Sequence, residues 1–113
     1  MEMVDIYSEI FELRADICKT LAQPKRLMII RELRESRKSV GQLTSSLGLS
    51  QPNISQHLSK LRERGIVETQ REGTTVYYSL ASPKIAEACD LVHKLLEEQL
   101  KKGEELVRSL SRY

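Results

Sequence analysis

Apolar residues recur at helical intervals in the first two segments of the chain. Across residues 4–21 they follow three- and four-residue steps, which predicts a helix there. Pro24 fits the first turn of a second helix, because the N–H that proline lacks has no helical partner at that position. Leu27, Ile30 and Leu33 would form the buried side of this second helix, and the polar residues 36–39 are expected to end it.

Two short helices with clear capping signals come next. Residues 39–42 read Ser-Val-Gly-Gln, a capping box with Ser39 at the N-cap, and Gly48 is suited to end that helix. Ser50 is a good N-cap for the following helix, which would end at Gly65. The buried residues are predicted to be Val40, Leu43 and Leu47 in the third helix and Ile54, Leu58 and Leu61 in the fourth. Two such helices joined by a short turn containing glycine predict a helix-turn-helix.

After Gly65 the apolar pattern changes to a period of two. The stretches IVETQR and TVYYSL alternate as half-buried strands do, with Glu72-Gly73 between them. Pro83 then opens a long helical segment that reaches residue 110, with Gly103 as the point where it would bend or break. The predicted fold is a winged helix-turn-helix, mainly α with a small β-hairpin (α+β). Its order is four helices, two strands and a final helix, in a single domain of residues 1–113.

Charge is distributed unevenly along the chain. The net charge is +2, but residues 1–23 carry −3, residues 24–80 carry +5, and residues 81–113 are balanced. Positive charge concentrated in residues 24–80, the middle of the chain, favours a polyanionic partner. Residues 24–80 are therefore predicted to be the DNA-binding core. The outer segments, 1–22 and 83–113, have apolar stripes that so small a domain cannot cover, so we expect them to dimerise with a second copy.

Composition excludes several other classes of protein. No apolar run is long enough to span a membrane, and the acidic, helical amino terminus is unlike a secretory signal. The two cysteines lie too far apart to indicate a disulfide framework, which favours a cytoplasmic location. The sequence has no glycine-rich phosphate loop and no nucleophile motif, and its two histidines fall in different elements. An enzyme is therefore not expected.

The fourth helix has polar side chains suited to reading DNA. Short donors and acceptors near the amino end of such a helix can reach base edges in the major groove. Asn53, Gln56 and Lys60 share a face turned away from the apolar stripe, although an ordinary solvated face is the alternative. His57 borders the stripe and would be either a structural histidine or a phosphate contact. The candidate DNA-contact residues are Ser50, Gln51, Asn53, Ser55, Gln56, His57, Lys60, Arg71, Thr74 and Thr75.

Three stretches between residues 21 and 82 resemble the ArsR/SmtB family of small winged-helix repressors. They are LAQPKRLMIIREL, SVGQLTSSLGLSQPNISQHLSKLRERGIV and REGTTVYYSLA. The resemblance implies a homodimer joined by the first and last helices, which represses transcription from a double-stranded operator with dyad symmetry until an inducer binds. It also implies that Gln51, Asn53, Ser55, Gln56 and His57 lie at or near DNA, with the hairpin tip on the flanking minor groove or backbone.

The metal-ligand sets known in that family are incomplete here. Residues 39–42 lack the thiolates and carboxylate of its soft-metal set, and the zinc set is broken because two residues separate Asp90 from His93. Cys89 and His93 are spaced to hold a regulatory metal ion, with Cys18 as a third ligand. Alternatively Cys18 and Cys89 form a thiol switch, or both are simply small apolar residues. A regulator without its own ligand and a winged-helix protein-interaction module are the remaining alternatives.

Overall fold

A computed structural model describes residues 2–101 and 103–112 of the chain. The helices in these residues are α1 (Glu2–Leu21), α2 (Pro24–Leu33), α3 (Val40–Leu47), α4 (Gln51–Glu63), α5 (Pro83–Leu100) and α6 (Glu104–Leu110). The strands are β1 (Lys38–Ser39), β2 (Val67–Glu72) and β3 (Thr75–Leu80). Helices therefore dominate; the strands β2 and β3 lie between α4 and α5 in the chain, and β1 precedes α3.

The helix-turn-helix of α3 and α4 is bounded by the expected caps. The Ser39 hydroxyl accepts a hydrogen bond from the Gln42 N–H at 3.2 Å, and the Gln42 side chain accepts one from the Ser39 N–H at 2.9 Å. Gly48 ends α3 in the left-handed region, with φ of 67°. Ser50 caps α4 by accepting a hydrogen bond from the Asn53 N–H at 3.4 Å. These local contacts confirm the predicted helix-turn-helix.

The hairpin of β2 and β3 is the predicted wing. Glu72 pairs with Thr75, so Gly73 and Thr74 alone form the turn. Gly73 has φ of 62°, the conformation required at the first position of a type II′ hairpin turn. The two strands therefore leave a tight tip rather than a long loop.

A third strand, β1, was not predicted. Lys38 pairs with Tyr78 and Ser39 with Tyr77, so the sheet order is β1-β3-β2. The sequence pattern of residues 36–39 indicated only the end of α2. Two residues held by backbone pairing are too few to show a period of two, so no local signal marks this strand.

The core is formed by α2, α3, α4 and the start of β2. The buried apolar residues are Ile29, Ile30, Leu33, Leu43, Ile54, Leu58, Leu61, Ile66 and Val67. The prediction for Leu27 is wrong, because its side chain is 41% exposed. The buried side of α2 carries Ile29, Ile30 and Leu33, and at about 100° per residue Leu27 lies roughly a third of a turn away from it.

The outer helices leave apolar side chains uncovered. Exposed fractions run from 39% to 67% for Ile6, Tyr7, Ile10, Phe11, Leu13 and Ile17 of α1 and for Leu91, Val92, Leu95 and Leu96 of α5. The radius of gyration is 16.5 Å, whereas a compact domain of this length has about 13 Å. The helices α1 and α5 therefore extend beyond the core and present apolar surface of the kind that marks an interface.

The last helical segment is divided as its glycine predicts. Helix α5 ends at Leu100, and Gly103 is the N-cap of α6. Within the described part of the chain, no helix combines the length and the apolar character needed to cross a membrane.

Candidate nucleic-acid interface

Helix α4 separates a buried side from a polar outer side. Leu58 and Leu61 have no exposed surface, whereas Gln51 and Gln56 are exposed. The first turn holds no acidic side chain that would repel a phosphate. Its free N–H groups add partial positive charge at the same end. The amino-terminal half of α4 therefore presents amide and hydroxyl groups on the surface of the winged core, as a DNA-reading helix must.

The predicted shared face of Asn53, Gln56 and Lys60 is only partly open. Asn53 is half-buried, while Gln56 and Lys60 are exposed. The Lys60 Nζ lies 3.9 Å from Glu63 Oε2, and Lys60 borders a polar cleft of about 210 Å³ between α1, α2 and α4. Of the three, Gln56 is thus the side chain best placed to reach a base edge, and Lys60 lies nearer to α1.

His57 connects α4 to two other helices. Arg26 donates a hydrogen bond from Nε to His57 Nδ1 at 3.2 Å and another from Nη1 to the Thr20 carbonyl at 3.1 Å. Burial lowers the pKa of His57, and the charges of Arg26 and Lys25 lower it further. The imidazole is therefore neutral at pH 7 and can accept the bond. This geometry favours the structural interpretation of His57.

The wing places its predicted contact residues at the tip. Arg71 and Thr74 are exposed and Thr75 is half-buried. Arg71 is paired with Val76 across the two strands, which fixes its position next to the turn. Its side chain is available to a DNA backbone that passes the tip.

Sequence reasoning missed Arg37, which contacts the wing from the connection between α2 and β1. Its Nη1 donates to Gln70 Oε1 at 3.0 Å, and its Nη2 lies 2.8 Å from Glu72 Oε2. The guanidinium lies over the Tyr77 ring, 4.3 Å from the ring centre. No spacing in the sequence links residue 37 to residues 70–77. The contact arises because β1 pairs with β3.

The two cysteines lie in different surroundings. Cys18 is exposed on α1, and Cys89 is half-buried on α5, where it packs against the core. Burial raises the pKa of the Cys89 thiol, and the carboxylate of Asp90 raises it further. Cys89 therefore stays protonated at neutral pH, the opposite of what a reactive thiolate requires.

Of the carboxylates near the metal candidate His93, Asp90 is paired with Arg34 and Glu97 with His93 itself. Arg34 donates from Nη1 and Nη2 to the two Asp90 oxygens at 2.5 and 2.8 Å, which lowers the pKa of Asp90 and ties α5 to α2. His93 Nε2 lies 3.3 Å from Glu97 Oε1. Among the described residues, no group of three or more His, Cys, Asp or Glu side chains is arranged to hold a metal ion.

Comparison with known proteins agrees with this geometry. Residues 23–69 match the family model described as bacterial regulatory protein, arsR family. An uncharacterised HTH-type transcriptional regulator of Mycobacterium tuberculosis, Rv0081, is 42% identical over 92 residues, which cover 80% of this chain and 81% of the relative. The chain belongs to the ArsR family.

Other similar proteins include a named repressor and two solved structures. The biofilm growth-associated repressor of Xylella fastidiosa is 40% identical over 89 residues, 79% of this chain and 78% of the relative. The crystal structure of Rv0081 matches with a TM-score of 0.75 and 40% identity, covering 82% of this chain and 94% of that one. A homodimeric winged helix-turn-helix DNA-binding domain from Mycobacterium bovis matches with a TM-score of 0.79 and 30% identity, covering 87% and 91%. This ArsR-family protein is accordingly a DNA-binding transcriptional regulator, and the names of its relatives are those of regulators rather than enzymes.

Proposed function

We propose that this ArsR-family protein is a cytoplasmic homodimeric repressor of a dyad-symmetric operator in double-stranded DNA. The observation that carries the proposal is the two-sided character of α4, with a fully buried stripe beneath an exposed amide and hydroxyl surface. A hairpin with Arg71, Thr74 and Thr75 near its tip follows directly in the chain. The relative named a repressor supports repression as the direction of control.

The DNA-contact residues divide into two groups by position. The amino-terminal half of α4 would read base edges through Gln56 and its neighbours Ser50, Gln51, Asn53 and Ser55, since amides and hydroxyls pair with bases there. Lys60, Arg71, Thr74 and Thr75 would contact phosphates, which position the protein without reading sequence. His57 lies between the groups and holds α4 through Arg26.

The dimer would form through α1 and α5. Both helices carry exposed apolar side chains that the single chain leaves uncovered, and the neighbour from M. bovis is homodimeric. Residues 1–22 and 83–113 would then dimerise, while residues 24–80 bind DNA. Two-fold symmetry supplies two recognition helices, which suits half-sites about 34 Å apart on the duplex.

Release from DNA by an inducer would act through these outer helices. Cys18, Cys89 and His93 are the residues for a regulatory metal ion, and the two cysteines alone for a thiol-reactive inducer. The thiolate is the form of cysteine that binds metals and attacks other sulfur atoms. The protonated Cys89 of the single chain therefore favours neither a metal site nor a thiol switch.

The test of DNA reading compares two variants on specific and unrelated DNA. We expect Gln56→Ala to weaken binding to the DNA upstream of the protein's own gene by about tenfold, because a lost base contact is worth roughly 1–3 kcal/mol. Its binding to a scrambled duplex should not change. Arg71→Ala should weaken binding to both duplexes alike and reduce the salt dependence by about one phosphate contact.

Gel-shift titrations at several salt concentrations give all four affinities. Lys84→Ala serves as the control, because it removes a charge from an exposed position at the start of α5 that is not among the proposed DNA contacts. Wild-type affinity in both Gln56→Ala and Arg71→Ala would show that the interface is assigned wrongly.

The same assay separates the alternatives for control. Release by zinc or arsenite indicates a metal sensor, and release by oxidant or polysulfide indicates a thiol switch. Binding that none of these reagents affects indicates a regulator without its own ligand. A protein-interaction module would show no steep loss of DNA affinity with salt.

A further inference from the structure

The wing carries an acidic residue at the place where DNA would approach. Glu72 is the last residue of β2, next to Arg71 and to the turn of Gly73 and Thr74. Its side chain is 53% exposed. A carboxylate here would repel phosphates and oppose the attraction exerted by Arg71.

Arg37 neutralises this carboxylate from outside the hairpin. The 2.8 Å separation between Arg37 Nη2 and Glu72 Oε2 is that of a charge-assisted hydrogen bond. Arg37 lies between α2 and β1, and the pairing of its neighbour Lys38 with Tyr78 carries it to the wing. The positive charge that offsets Glu72 is therefore supplied from the connection between α2 and β1, outside the hairpin.

Two further contacts keep the guanidinium in place. Gln70 accepts a hydrogen bond from Arg37 Nη1 at 3.0 Å, and Tyr77 supports the guanidinium with its ring at 4.3 Å. Gln70 and Tyr77 are direct partners across β2 and β3, so Arg37 is held by both strands. With both terminal nitrogens directed at the wing, Arg37 is oriented toward Glu72 rather than toward an approaching phosphate.

We propose that Arg37 is a positioning residue for DNA binding, which acts by masking the charge of Glu72 on the wing. The proposal rests on the proposed function, because it concerns the contact of the wing with DNA. It differs from a direct phosphate contact in one consequence: once Glu72 is neutral, Arg37 is no longer needed. Removing both charged groups should therefore restore the DNA affinity that is lost when Arg37 alone is removed.

The experiment is a double-mutant cycle with Arg37→Gln, Glu72→Gln and the double variant. Fluorescence anisotropy measures the affinity of each protein for the operator duplex at several salt concentrations. Arg37→Gln should weaken binding roughly tenfold, Glu72→Gln should have little effect, and the double variant should return to within about twofold of the wild type. The loss in Arg37→Gln should shrink as salt rises, because unmasked repulsion is screened.

The matched control is the same cycle with Arg71 in place of Arg37. Glu72→Gln should change the affinity of Arg71→Gln by no more than it changes that of the wild type, because Arg71 meets DNA directly. Arg37→Lys, which keeps the charge and disturbs the fold least, should retain most of the affinity. Circular dichroism verifies that each variant is folded.

Three outcomes contradict the proposal. A double variant as weak as Arg37→Gln would make Arg37 a direct phosphate contact or a purely structural residue. Loss of binding in Arg71→Gln with none in Arg37→Gln would refute the masking role alone and leave the proposed function intact. If neither Arg37→Gln nor Arg71→Gln changes the affinity for DNA, the wing does not contact DNA. The masking role is then refuted as well.

Discussion

His57 lies at the boundary between the exposed polar side of α4 and the core. Its Nδ1 accepts a hydrogen bond from Arg26, which also donates to the Thr20 carbonyl, so one imidazole ties α4 to the ends of α1 and α2. The bond requires an unprotonated nitrogen. Burial lowers the pKa of His57 and maintains that state at neutral pH. One of the contacts that hold α4 against α2 therefore depends on the protonation of His57.

Acidification is expected to destabilise the fold through His57. In the unfolded chain the imidazole has its ordinary pKa of about 6.5, and in the folded protein the pKa is lower. The unfolded state therefore binds the proton more readily between these two values. The contribution of neutral His57 to the free energy of unfolding is therefore fully present above about pH 6.5, and it decreases as the pH drops below that value.

Thermal unfolding between pH 7.5 and pH 5 measures this effect. The Tm of the wild type should fall more than that of His57→Gln, which keeps an acceptor for Arg26 but does not titrate. Equal losses of Tm in the two proteins would exclude His57 as the source of the pH dependence.

At the scale of elements, local signals determined what could be predicted. Ser39, Gly48 and Ser50 act on neighbouring residues, so the bounds of α3 and α4 follow from the sequence. Strand β1 and the wing contacts of Arg37 depend on pairing between residues about 40 positions apart, for which a single sequence contains no pattern. Ile29 was missed for another reason: the side of α2 that is buried is decided by how α2 packs on α3 and α4.

The turn between α3 and α4 supplies an element-scale prediction. Gly48→Ala should destabilise the protein by about 1–2 kcal/mol, because φ of 67° is strained for any residue with a Cβ. No atom lies within 4 Å of the added Cβ, so the penalty arises from the backbone alone. Urea unfolding gives the change in free energy.

Gly41→Ala is the matched control inside α3. Its added Cβ meets only the Ser39 hydroxyl, at 3.9 Å, and helical backbone favours alanine over glycine. This variant should be stabilised by about 0.5–1 kcal/mol. A Gly48→Ala protein as stable as the wild type would mean that the turn adopts another conformation in solution.

At the scale of the whole molecule, the buried core and the exposed apolar surface belong to different parts of the chain. The core lies within α2, α3, α4 and β2, whereas no residue of α5 is buried in the single chain. The molecule measures 51 × 48 × 23 Å, an extended plate from which the outer helices project. The sequence predicted this division from the unmatched apolar stripes of the first and last helices, although it could not show how two copies pair.

A charge placed on the apolar face of α1 should separate the two copies. Leu13→Asp is expected to sediment as a monomer and to lose most of its operator affinity, because two linked recognition helices bind far more tightly than one. Its helix content should be unchanged, since Leu13 is exposed in the single chain. Sedimentation velocity and anisotropy with operator DNA measure the two effects.

Ser8→Asp is the control for this charge. Ser8 is exposed on the side of α1 opposite Leu13, and the variant should remain dimeric and bind the operator normally. A Leu13→Asp protein that sediments like the wild type would place the dimer interface elsewhere.

The order of the strands also bears on aggregation. Strand β3 is paired on both sides, so β2 is left as an open edge with unpaired backbone groups, which are prone to join the sheet of another molecule. The outward residues of β2 are polar or charged, including Glu68, Gln70, Arg71 and Glu72, and they discourage such edge-to-edge pairing. The opposite edge, β1, is only two residues long. The polar open edge of the wing therefore opposes edge-to-edge pairing between the sheets of two molecules.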